Sequence, residues 1–323
     1  MLSGEYGSEL KGEFEMKHLL SIEELGRENL AFLVRQGLVI AAGGGRGALP
    51  LQGRAVGIYF RRSSTRTRTS FTVGALRLGA GVISYGPHDL QLATGETLAD
   101  TARVLSGFLD CLVVRTNEPA AEMKVLASQN EMAVINAMST EEHPTQAVTD
   151  LITIHEALGR LDGVHVLYLG EGNNSAASLA LATALTPGMR LTLVTPEGYG
   201  LPRPTMETAA RLARQHGALV EQHHDVERLP GGVDVVYTTR WQTMGEPKPD
   251  ADWREKFEPY AVTPRLMARV SKPGTVFLHD LPAVRGAEVH DEVLDGPQSL
   301  AFRQARHKLT AAMTVLAWCL SGD

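Results

Sequence analysis

Cysteine is scarce in this chain, with two in 323 residues. Cys111 and Cys319 both sit among apolar neighbours and read as reduced core thiols of a cytosolic protein. No Cys-x-x-Cys pair or Cys/His spacing points to a metal. Long apolar runs are missing as well, since none reaches the length of a membrane span. The opening "MLSGEYGSELKGEFEMKH" is polar and acidic and holds no apolar signal core. The expectation is a soluble, cytoplasmic protein with no membrane partner. Positive charge is not in excess either. The 31 basic residues fall short of the 37 acidic ones, a net charge of −6, which argues against a nucleic-acid partner and makes any basic cluster local. Low-complexity tracts are absent, and the two halves share no sequence repeat.

What is present is a rhythm. At 323 residues the chain is too long for one ordinary core and suits two domains. Short β-rich runs at 164–169, 191–194, 218–222, 233–237 and 275–278 alternate with helical stretches such as 175–185 and 206–216. That is the βαβ pattern of a parallel, doubly wound sheet. The first half repeats it more loosely, with strands expected at 55–60, 82–85, 111–115 and 132–136. Helices are expected there near 64–78, 96–108, 119–129 and 144–158. The fold class is α/β, two doubly wound parallel-sheet domains joined by the helix that starts near Pro144. The expected division is 1–148, 149–297 and a C-terminal amphipathic helix, 298–323, packing back on the first domain.

One stretch breaks the acidic trend. "YFRRSSTRTRTSF", residues 59–71, crowds arginines and hydroxyls directly behind an apolar strand. A strand ending at Phe60 and a helix opening at Ser64-Thr65-Arg66-Thr67 would place unpaired N–H groups, hydroxyls and a guanidinium at a helix N-terminus. Such a terminus suits an anion, above all phosphate. The plainer reading is a Ser/Thr cap with a solvated basic face. A second stretch, "EEHPTQAVTDLITIHEAL" at 141–158, sets His143 before a helix-initiating Pro144, with Gln146 further in. Beside an anion site, that histidine becomes a candidate electrophile.

These two stretches together resemble the aspartate and ornithine carbamoyltransferase family, and the likeness extends over nearly the whole chain. "KHLLSIEEL", "GETLADTARVLSGF", "LGEGNNSAASL", "DVVYTTRWQTMGE", "HDLPAVRGAEV" and "DEVLDGPQS" follow in the family's order. The resemblance implies two α/β domains with the active site in the cleft between them, and a homotrimer whose sites are shared between subunits. It implies transfer of the carbamoyl group of carbamoyl phosphate to an amine, without metal or organic cofactor. Ser64, Thr65, Arg66 and Thr67 would hold the phosphate. Arg115 and His143 would reach the carbonyl oxygen, and Gln146 and the backbone carbonyl of Leu281 the carbamoyl nitrogen. Gln91, with Glu96, would lie on a loop lent to a neighbouring subunit. Asn174 and Met244 would contact the amino acid.

The acceptor half departs from the pattern. Ornithine enzymes of the family read Asp-x-Trp-x-Ser-Met-Gly where this chain has Thr239-Arg240-Trp241-Gln242-Thr243-Met244-Gly245. The aspartate for the amino group is thus Thr239, and the serine is Thr243. Their His-Cys-Leu-Pro is here His279-Asp280-Leu281-Pro282, and a final-helix arginine is Lys308. Two arrangements stay open: Asp280 and Arg240 pair with each other, or Arg240 receives a substrate carboxylate and Asp280 a cationic group. A dinucleotide-binding enzyme is a rival reading because of Gly170-x-Gly172, although the third glycine is Ser175. A non-catalytic family member is another.

Overall fold

Among the described residues, the carboxyl ends of nine parallel strands decide where chemistry can happen. The computed structural model describes residues 17–45, 47–242 and 248–320. In the first sheet β1 (Ala55–Phe60), β2 (Gly81–Tyr85), β3 (Cys111–Arg115) and β4 (Ala133–Met138) run in the order β2-β1-β3-β4. In the second, β5 (His165–Leu169), β6 (Arg190–Val194), β7 (Leu219–His223), β8 (Val233–Thr238) and β9 (Ser271–His279) run in the order β7-β6-β5-β8-β9. Every pairing is parallel. Strands β3, β4 and β8 are buried along their whole length, as strands covered by helices on both faces must be. The edge strand β2 is mostly open, and its pattern is correspondingly weaker. Both sheets reverse their winding once, between β1 and β3 and between β5 and β8, and ligands of such sheets bind outside these switch points.

Helices fill the connections. They are α1 (Ile22–Ala41), α2 (Arg66–Arg77), α3 (Leu98–Ser106), α4 (Ala121–Leu126), α5 (Pro144–Leu158) and α6 (Asn174–Ala184). After them come α7 (Arg203–His216), α8 (Trp253–Phe257), α9 (Pro264–Val270), α10 (Asp291–Leu294) and α11 (Ala301–Leu320). The buried helix α5 leads from the first sheet to the second, and α11 packs on α2, α5 and α1.

The helix α1 was not anticipated from the sequence. Ser21 caps it by accepting from Glu24 N at 3.0 Å, and Leu30, Leu33, Val34 and Gly37 form its buried stripe. Gly26 breaks it with φ +72°, which obscures the helical period. Gly37 lets α1 lie against α5, because a Cβ there would stand 2.3 Å from Ile152 Cδ1. Cys111 and Cys319 are both buried free thiols, and burial pushes both pKa values up.

Candidate active site

The loops after β1, β5, β8 and β9 and the ends of β3 and β4 line one cavity of about 220 Å³. Its first-sheet wall is cationic. The helix α2 opens at Arg66, and Thr65 before it adopts helical angles and makes no side-chain cap. The first-turn N–H groups and the hydroxyls of Ser64 and Thr65 therefore remain available to an anion. Beside them stands the buried Arg115, whose Nε has no partner among the described residues and whose Nη1 makes one long bond to Thr67 Oγ1 at 3.4 Å. Burial first, and then the Arg66 charge, pull the Arg115 pKa down to about 10, with Asp280 opposing. A buried guanidinium short of acceptors is costly, and an anionic ligand is what it lacks.

His143 lies at the N-terminus of α5, its backbone N–H donating to Ser178 Oγ at 2.9 Å. Burial, reinforced by Lys308 and Arg115, holds its pKa well below the usual value, so the ring is neutral at physiological pH. Thr145 Oγ1 is 3.3 Å from its Nδ1. With that hydroxyl donating, the ring proton sits on Nε2. Lys308 reaches the cavity from α11 and donates to Gln146 Oε1. Burial brings the Lys308 pKa down to about 8, against the pull of Asp280 and Asp150. Gln146 itself sits behind Lys308 and His143, in a small adjoining pocket, and its amide donates to Asp150 Oδ1 at 2.7 Å.

The second-sheet wall carries the opposite charge. In the pairing of β8 with β9, Thr238 stands opposite His279, so Thr239 and Asp280 leave their strands side by side. Thr239 Oγ1 donates to Asp280 Oδ1 at 2.8 Å, and Ser175 Oγ, in the first turn of α6, donates to Asp280 Oδ2 at 2.9 Å. The carboxylate is thus held at both oxygens by hydroxyls, not by a cation. His279 Nδ1 approaches Asp280 at 3.7 Å, but that nitrogen accepts the Leu281 N–H at 2.9 Å and offers no proton. Arg240 lines the same cavity and makes no ion pair among the described residues. The first of the two arrangements left open by the sequence, an Arg240–Asp280 pair, is therefore not what the chain adopts. Its neighbour Thr239 takes the carboxylate first.

The comparisons with known proteins agree with one another. Residues 17–156 match the model of the carbamoyl-P binding domain of aspartate/ornithine carbamoyltransferase, and residues 162–319 match its Asp/Orn binding domain. The chain belongs to the aspartate/ornithine carbamoyltransferase family. The ornithine carbamoyltransferase of Symbiobacterium thermophilum is 43% identical over 83% of this chain and 85% of its own. That of Methanothermobacter thermautotrophicus is 39% identical over 95% and 100%. The solved ornithine carbamoyltransferase of Pyrococcus furiosus superposes with a TM-score of 0.88 at 35% identity, covering 96% of this chain and 99% of that one.

Of the site residues expected of this carbamoyltransferase, Ser64, Thr65, Arg66, Thr67, Arg115, His143, Asn174, Thr239, Arg240, Asp280, Leu281 and Lys308 do converge on the cavity. Gln91 does not. It sits exposed in a short 3₁₀ turn, Gln91–Thr94, bonded to Thr94. Thr243 and Met244 lie outside the described residues. Sequence reasoning missed Asn173, Ser175 and Gln242, which also line the cavity. The Asn-Asn-Ser run before an apolar helix was a cap signal for two of them.

The same cap weighs against a dinucleotide. Asn173 already accepts from Ser175 N and Ala176 N at the start of α6. Gly172 is pressed against protein, where a Cβ would stand 2.3 Å from Leu201 N. That glycine serves packing rather than a pyrophosphate.

Proposed function

We propose that this carbamoyltransferase moves the carbamoyl group of carbamoyl phosphate to the amine of ornithine or a related amino acid and releases phosphate. In this reading the open first turn of α2, Ser64, Thr65, Thr67 and Arg66 hold the phosphate. Arg115 and neutral His143 point donors at the carbonyl oxygen, where negative charge grows as the amine attacks. The Leu281 backbone takes the carbamoyl nitrogen, and Lys308, held from behind by Gln146, adds charge toward the phosphate. The amine lone pair forms the new C–N bond. The C–O bond to phosphate breaks, and the departing phosphate takes one amine proton. No metal is needed, because fixed cations and N–H groups already surround the leaving group.

The observation that carries this reading is Arg115, buried, short of acceptors and set beside the uncapped N-terminus of α2. Carbamoyl phosphate should raise the melting temperature and NAD should not. Phosphate release that depends on an added amino acid then separates an enzyme from a binding protein. A homotrimer with shared sites accords with Gln91 lying outside the cavity. Exposed Ile83 and Val104 and 73%-exposed Phe108 on the first domain favour it too. A cytoplasmic role in amino-acid metabolism, as in arginine biosynthesis, belongs to the same proposal. A second reading, an acceptor other than ornithine, is favoured by Thr239, Arg240 and Asp280 at the second wall.

A further inference from the structure

We infer that Asp280 docks the ammonium group that becomes the nucleophile and that Arg240 docks a carboxylate at the acceptor's far end. The acceptor is then an amino acid with its reacting amine remote from its carboxylate. This inference rests on carbamoyl transfer being the reaction.

The argument begins with an imbalance. One cavity holds a carboxylate and a guanidinium that do not pair with each other. Each is buried enough to profit from an opposite charge, and only a ligand carrying both signs satisfies both. A plain diamine leaves Arg240 alone, and a dicarboxylate sets like charge against Asp280. The carboxylate is built to bind. Thr239 and Ser175 each occupy one oxygen, which fixes its orientation and leaves further lone pairs for a cation. Its backbone is braced by His279, which is fully buried and bonded to Glu288 at 3.2 Å and to Leu281 N.

Position decides which ammonium it takes. Asp280 adjoins Leu281 and faces the donor wall, close enough for its charge to oppose the burial that lowers the pKa values of Arg66, Arg115 and Lys308. The carbamoyl carbon must lie among those cations, so the amine beside Asp280 is the one that attacks. Arg240, on the loop after β8 and without an ion pair among the described residues, is left to take the carboxylate at the other end.

A carboxylate at the nucleophile stabilises its ammonium form, which cannot attack. The three cations push the other way. Asp150 from α5, Tyr168 from β5 and Tyr237 from β8 also feel the Asp280 charge and complete its surroundings. The ammonium therefore sheds its first proton to solvent before C–N bond formation, and the second leaves with phosphate.

The test uses steady-state kinetics at saturating carbamoyl phosphate with ornithine and 5-aminovalerate, which lacks the α-amino group. Asp280→Asn should raise the KM of both at least tenfold and move the acidic limb of kcat to lower pH. Arg240→Gln should raise both KM values and leave that of putrescine unchanged. Thr239→Val, which frees one carboxylate oxygen, is the milder second variant and should raise both KM values a few-fold. A rise for ornithine alone in Asp280→Asn would overturn the inference, since Asp280 would then hold the non-reacting ammonium. Unchanged KM values for both would overturn it too. If the unaltered protein carbamoylates no amine, the functional reading fails separately. Calorimetric binding of 5-aminovalerate in inorganic phosphate then decides. Tenfold weaker binding in Asp280→Asn supports the docking role, and equal binding refutes it.

Discussion

Gln304, in the C-terminal helix α11, donates to Oδ1 of Asp150, in α5, at 2.6 Å. Around that bond a buried network closes. Gln146 donates to the same oxygen, Tyr237 donates to Oδ2 at 3.1 Å, and the His279 N–H donates to Gln304 Oε1 at 2.9 Å. Gln146, which holds Lys308 from behind, and the strand ends that present Thr239 and Asp280 are thereby tied to one carboxyl. Asp150→Ala should strand three buried donors and cost about 3 kcal/mol or more of unfolding free energy. Asp150→Asn retains an acceptor and should cost about 1 kcal/mol. Urea unfolding of both variants checks the difference, and equal losses would mean that the carbonyl-type acceptor is not what matters.

Stability should respond to pH through Glu142. Its carboxyl accepts from Ile22 N at 3.0 Å and Ser178 Oγ at 3.1 Å, yet burial dominates and lifts its pKa from 4.5 to about 7. Between those values the folded state keeps a proton that the unfolded state releases, so stability falls as pH rises through the window. Glu142→Gln should be more stable than the unaltered protein at pH 8, by up to about 3 kcal/mol, and nearly equal to it at pH 5. A constant offset at both pH values would show that the effect is not ionisation.

Lys308 predicts a limb in donor binding. With its pKa near 8 in the free protein, the cation is lost as pH rises, and carbamoyl phosphate should bind progressively more weakly above about pH 8. Binding near that pH should take up a proton, because the dianion favours charged Lys308. Lys308→Arg keeps its charge and should flatten the limb. An unchanged profile in that variant would place the titrating group elsewhere.

For His143 the expected signature is a rate effect. Its hydrogen bond strengthens as the carbonyl oxygen gains charge, so His143→Asn should lower kcat by roughly 10²–10³-fold while donor affinity changes little. A lower melting temperature with normal kcat would make the histidine structural.

Much of this architecture was legible in advance, for a physical reason. Strands buried on both faces, such as β3 and β8, are largely apolar, and the helices between them carry their own punctuation. The cationic wall was legible because Ser64 to Thr67 are contiguous and follow one strand. The second wall was not. Thr239 and Asp280 are 41 residues apart in sequence, and only the β8–β9 register makes them neighbours. The Asp150 network joins α5, β8 and α11 and leaves no local pattern. The helix α1 did leave one, in Ser21 and Glu24, but Gly26 interrupts the period that would have drawn attention to it.

The central claim is that this cavity transfers a carbamoyl group, and product analysis tests it most directly. The protein would be incubated with carbon-13-labelled carbamoyl phosphate and ornithine, and the label followed by NMR. The account predicts that label appears as a ureido carbon on the amino acid, one for each phosphate released, and that Arg66→Ala abolishes it while remaining folded. Phosphate released without any ureido carbon, or product formed at an unchanged rate by Arg66→Ala, would contradict it.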